Sequence, residues 1–89
     1  MSGITKEQVQ QFLLSKVAEL IGKPELRETM TSTERLSEAG IDSVMFVNLI
    51  IQIEQRFDMF FEDDELMADQ FQNIEQFTTR IMEKLGVSL

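Results

Sequence analysis

The chain has 89 residues, enough for one modest domain and no second layer to wall a deep enzyme pocket. It holds no Cys and no His, which excludes disulfides, thiolate metal sites, thiol catalysis and the commonest general base. A formal net charge of −8 argues against nucleic acid and membrane surfaces as partners, because both recruit Lys and Arg.

The apolar spacing is helical throughout, and no segment alternates with period two. Thr5-Lys6-Glu7-Gln8 reads as a capping box that opens the first helix. Val9, Phe12, Leu13, Val17, Leu20 and Ile21 then recur at three and four places, and Gly22 with Pro24 stops the helix. Residues 22 to 41 form a long connection rich in Thr, Ser and Glu. Its length implies a function or anchors in the core, and Leu36 and Ile41 are the expected anchors. A short helical turn is expected around Thr33 to Ser37.

Asp42 is a good N-cap for the second helix, which should run to Phe57. A short third helix is expected from Asp63 to Ala68, its acidic first turn suiting the positive end of a helix dipole. Asn73 caps the last helix, with Gln76 three places on. Ile74, Phe77, Ile81 and Leu85 form its stripe, and Gly86 ends it. The predicted core comprises Phe12, Leu13, Leu49, Ile50, Ile53, Phe57, Ile74, Phe77 and Ile81.

The N-terminal residues Met1 to Lys6 lack the apolar stretch of a signal peptide. The longest apolar run, Val44 to Ile53, is interrupted by Asn48 and Gln52 and is too short to span a bilayer. A cytoplasmic location without membrane attachment is expected. From Asp42 to Glu75 the acids are Asp42, Glu54, Asp58, Glu62, Asp63, Asp64, Glu65, Asp69 and Glu75, opposed only by Arg56. The first 41 residues are more balanced, so the acidity points to a face that steers a basic partner. A calcium loop does not fit this stretch: Met59, Phe60 and Phe61 interrupt the ligands and the central Gly is missing, so no metal is expected. Nor does any nucleophile–base constellation point to an enzyme.

The second helix carries the sharpest signal. Phe46, Leu49, Ile50, Ile53 and Phe57 share one arc, which suffices for packing. Val44, Val47 and Ile51 share another, and Met45 lies apart from both. A helix buried nearly all round would account for the second arc, and so would an exposed partner-docking strip. Ser43 heads this helix. Asp42 already supplies the cap, so Ser43 is not needed for capping, and a helix start is a favourable seat for a phosphate.

Gly40-Ile41-Asp42-Ser43-Val44 resembles the attachment motif of acyl carrier proteins and peptidyl carrier domains, usually Gly-x-Asp-Ser-Leu. The likeness extends to Thr33-x-x-Leu36, to the run Val47 to Phe57, to the acidic third helix and to the Ile74 stripe. The resemblance implies an all-α, small four-helix bundle, three main helices and one short one, as a single carrier domain over 1–89 with its core at about 5–86. It implies that Ser43, beside Asp42 of the motif, receives a 4′-phosphopantetheine arm from coenzyme A through a magnesium-dependent phosphopantetheinyl transferase. The arm's thiol would then hold acyl or aminoacyl cargo for loading and downstream enzymes, the protein acting as a monomer. Val44, Met45, Val47, Asn48 and Ile51 would meet those partners, with Glu54, Asp58 and Glu62 to Glu65, Asp63 and Asp64 among them, as a charged rim.

Fatty-acid carriers usually place acids two and five positions after the serine. Met45 and Asn48 stand there instead, Val44 replaces Leu, and the segment Leu66 to Phe71 reads as slightly longer. These departures favour a specialised polyketide or nonribosomal peptide pathway. The alternatives are a fatty-acid carrier and an unmodified helical interaction module.

Overall fold

Thr5 sets where the chain becomes helical. The computed structural model describes residues 3–66 and 71–86. There the Gln8 N–H donates to the Thr5 hydroxyl at 3.2 Å, and the Thr5 N–H donates to the Gln8 side-chain oxygen at 3.0 Å. Both free amides of the box are thus satisfied, and helix α1 runs Lys6–Ile21 to a left-handed Gly22. Val9, Leu13 and Val17 are fully buried, joined by Ala18.

Phe12 departs from the predicted core. It is half-buried at the edge of the cluster, its ring edge-on to Phe57 at 5.4 Å, with the cations of Lys16 and Arg56 over its face. Helical periodicity places a residue on a face, but the width of the neighbouring helix decides how much of that face is covered.

The long connection holds two single-turn helices, α2 (Leu26–Thr29) and α3 (Leu36–Ala39). The turn predicted from Thr33 to Ser37 therefore begins at Leu36. The reason lies far along the chain: the Leu36 N–H donates to the Gln72 carbonyl at 2.9 Å, and the Glu75 N–H donates to the Ser32 carbonyl at 2.9 Å. Between these bonds the chain makes a separate turn, the Glu34 N–H donating to the Thr31 carbonyl at 3.3 Å, and then an extended Arg35, so the helical turn starts only at Leu36. Leu36 and Ile41 are buried as expected, and Met30 is a third anchor.

Helix α4 runs Ser43–Phe57, α5 covers Asp63–Leu66 and α6 covers Ile74–Leu85. The expected continuation of α5 through Ala68, like most of the Leu66 to Phe71 segment, lies outside the described residues. Asn73 caps α6 by accepting from the Gln76 N–H at 2.8 Å. Among the described residues the chain is an all-α bundle of three long helices, α1, α4 and α6, with three short ones, and α1 packs against both long partners.

Phe77 centres the core, its ring 4.8 Å from Phe71, 5.8 Å from Phe46 and 6.3 Å from Phe61. Beside it Thr78 is buried, its hydroxyl donating to the Ile74 carbonyl at 2.8 Å, so no polar atom is stranded there. Leu85, at the end of the predicted stripe, is only half-buried.

Candidate functional site

Gly40 makes the turn that presents the site. Its φ of 118° lies in the left-handed region, where a Cβ is strained, and its N–H closes α3 on the Leu36 carbonyl at 3.1 Å. Ile41 then drops into the core, its N–H also bonded to Leu36. With that anchor set, the next two residues emerge exposed. Asp42 is extended, and its carboxylate accepts the Met45 N–H at 2.8 Å. The Asp42 carbonyl accepts the Phe46 N–H at 2.9 Å, and the helix is under way.

This arrangement leaves Ser43 open. Among the described residues its hydroxyl makes no hydrogen bond, and the N–H groups of Ser43 and Val44 have no protein acceptor. The hydroxyl stands at the positive end of a four-turn helix, in a field that favours an anion. The neighbouring carboxylate is committed to capping, and the chain has no His to serve as base. Ser43 thus presents an exposed hydroxyl at the helix start, next to a carboxylate that is engaged elsewhere. A cavity of about 420 Å³ opens beside it, with Leu36, Ile41, Phe46, Val47 and Phe71 on its walls and Arg35 among its few polar groups.

Helix α4 is two-faced. Leu49, Ile50, Ile53 and Phe57 are buried, whereas Val44, Val47 and Ile51 are 75%, 57% and 46% exposed. The second arc is thus an open strip, leading away from Ser43. Met45 is half-buried and packs toward the core, so little of it belongs to the strip. Asn48 is exposed, with its side-chain oxygen accepting from Gln52 at 2.9 Å.

The predicted acidic rim divides. Asp58, Glu62, Asp63 and Asp64 are exposed. Glu54 and Glu65 are turned inward and are not free rim charges. Glu54 accepts the Phe61 N–H at 2.9 Å and so ties the loop after α4 back onto the helix. Glu65 accepts the Glu62 N–H at 2.9 Å, with Lys84 at 2.7 Å and Arg80 at 2.8 Å. Among the described residues no ion pair engages Asp58, Glu62, Asp63 or Asp64.

The sequence reading missed Phe60, which is 71% exposed between half-buried Met59 and buried Phe61. The in–out–in order of an extended triplet was the available signal.

The Glu62 N–H, then the Lys84 ammonium, hold the Glu65 carboxyl below its ordinary value of about 4.5, against the opposing effect of burial. A depressed folded-state value means that this contact contributes its full stability above pH 4.5 and loses it as pH falls through the lowered value. The stability difference between wild type and Glu65→Gln, followed by denaturant unfolding, is expected to shrink steadily on acidification below that point. A difference independent of pH would contradict the assignment.

Residues 11–81 match the family model described as the phosphopantetheine attachment site. No curated protein and no solved structure matches the chain with significance.

Proposed function

The chain belongs to the phosphopantetheine-attachment family, a family of carriers rather than catalysts, and on that premise we propose that Ser43 is its attachment residue. The supporting observation is the exposed, unengaged Ser43 hydroxyl beside Asp42 at the head of α4. In a transferase, the Ser43 oxygen would bond to the pantetheine-side phosphorus of coenzyme A. The pyrophosphate linkage breaks, the nucleotide half leaves with its own phosphate, and the hydroxyl proton passes to a base that the transferase supplies. The arm supplies a terminal thiol, which is how a chain without Cys holds cargo as a thioester.

On this reading Ser43 and Asp42 mark the address, and the Val44, Val47 and Ile51 strip, edged by Met45 and Asn48, receives the transferase and the loading and downstream enzymes. Asp58, Glu62, Asp63 and Asp64 orient them. The protein works as a monomer in the cytoplasm; no helix among the described residues is long and apolar enough to cross a membrane.

The cargo enzymes belong to a specialised polyketide or nonribosomal peptide pathway. Neutral Met45 and Asn48 support this, since between Asp42 and Asp58 the only acid is Glu54, which is occupied by the Phe61 amide. A fatty-acid partner that reads acids along this helix finds none free. The test begins with apo protein, coenzyme A and a broad-range transferase, followed by intact mass. A gain of one phosphopantetheinyl group supports the carrier reading, and no gain leaves an unmodified interaction module. The holo protein is then offered to a fatty-acid malonyl transferase and to a polyketide or peptide loading enzyme. Equal efficiency with both would return the chain to fatty-acid synthesis.

Apolar anchors at the centre of an interface carry most of its affinity, while rim charges act on encounter. Val47→Asp is therefore expected to lower the transferase's kcat/KM at least about tenfold, the loss of roughly one hot-spot contact. Its melting temperature should match wild type, because Val47 is open to solvent. Charge reversal at Asp63 should act more weakly and fade with salt. An unchanged kcat/KM for Val47→Asp would remove the strip from the docking surface.

A further inference from the structure

Among the described residues, the cavity beside Ser43 has a single cation on its wall. Arg35 shares that wall with Ser43, Phe46 and Phe71. It is exposed, and among the described residues its guanidinium has neither a hydrogen-bond acceptor nor an ion-pair partner. The cations elsewhere in the carboxyl-terminal half are spoken for: Arg80 and Lys84 by Glu65, and Arg56 by the rings of Phe12 and Phe57.

The Arg35 backbone, by contrast, is fixed. Its carbonyl accepts the Ala39 N–H at 3.1 Å, and the adjacent Leu36 is buried and bonded to Gln72. The fold thus holds an arginine at a set position on the wall of the site and leaves its five donors unused.

A phosphodiester on Ser43 adds one negative charge next to the Asp42 carboxylate, in a chain already at −8. Asp42 is turned onto the Met45 amide, so it offers that phosphate repulsion and no hydrogen. Guanidinium matches phosphate oxygens in a bidentate geometry that Lys cannot reproduce. We infer that Arg35 binds the phosphodiester of the arm on Ser43 and so lays the start of the arm along the apolar wall formed by Leu36, Phe46 and Phe71. This rests on Ser43 as the attachment residue. It adds a positioning residue outside the Gly40 to Val44 motif.

The experiment is a thermal cycle of four proteins: apo and free-thiol holo forms of wild type and of Arg35→Gln, with loading of each holo form verified by intact mass. The free-thiol form carries no cargo, so any coupling belongs to the arm itself. The substitution is expected to lower the melting temperature of the holo form by about 2–4 °C more than that of the apo form, the scale of an exposed charge pair in a domain of this size. The excess should shrink toward zero in about 1 M salt, where the screening length is near 3 Å. Arg35→Lys should recover part of it, and the phosphorus-31 resonance of the holo protein should move in Arg35→Gln. Equal shifts in apo and holo forms, with the phosphorus resonance unmoved, would overturn the role of Arg35 while leaving the carrier reading intact. Failure of the wild type to gain mass would overturn that reading, and this inference with it.

Discussion

Ser43→Ala is expected to take up no phosphopantetheinyl group under conditions that fully load the wild type, and to melt at the wild-type temperature. On the proposed assignment, complete loss follows because the hydroxyl oxygen would form the new bond, and Ala has nothing in its place. The preserved fold follows from geometry. Ser43 is exposed, and the cap of α4 is made by Asp42 through the Met45 amide. Ala is also a strong helix former. Intact mass and a thermal melt of the same sample decide both halves. The informative failure is modification that persists in the variant. Ser37 is exposed and lines the same cavity, so a phosphopantetheinyl peptide mapping there would move the attachment point from α4 to α3.

Phe77→Ala is expected to cost about 3–5 kcal/mol, the usual range for deleting a buried aromatic side chain and leaving its cavity. That is a large share of the roughly 5–10 kcal/mol available to a domain this small. Phe77 is 0% exposed and faces Phe46, Phe61 and Phe71 from α4, the following loop and the entry to α6. Two of those rings, Phe46 and Phe71, also wall the cavity beside Ser43, so the substitution should loosen the site along with the core. Urea unfolding with an unchanged slope measures the loss, and a cost below about 1 kcal/mol would place Phe77 outside the core. Phe12→Ala is the natural control. Phe12 is half-buried and touches the cluster along one edge, so its truncation should cost clearly less.

Both ends of α1 and α6 and the start of α4 were legible in the sequence because their chemistry is local. Thr5, Asp42 and Asn73 each cap an amide three residues on, and Gly22 and Gly86 each take the left-handed turn that ends a helix. The exposed strip of α4 was legible as one of two open possibilities. A 100° period separates Val44, Val47 and Ile51 from Leu49, Ile50 and Ile53, but it does not say whether a second neighbour covers the first group. The bundle supplies none, and those three residues stay open.

Other features depended on groups distant in the chain. Glu54 and Glu65 looked like members of one acidic run. Their partners, the Phe61 amide in one case and Arg80 with Lys84 in the other, come from seven residues on and from a separate helix. The start of α3 was displaced because Leu36 pairs with Gln72, and Phe12 lies at the edge of the cluster, where α4 meets it with the Phe57 ring edge and the Arg56 cation. The cavity beside Ser43 needs α3, α4 and the Phe71–Gln72 segment in place at once. Hydrogen bonds spanning three or four residues are specified by neighbours in the chain, so composition and spacing expose them. Burial, ion pairing and cavities are specified by which surfaces meet, and that is decided only when the long helices close on a shared core.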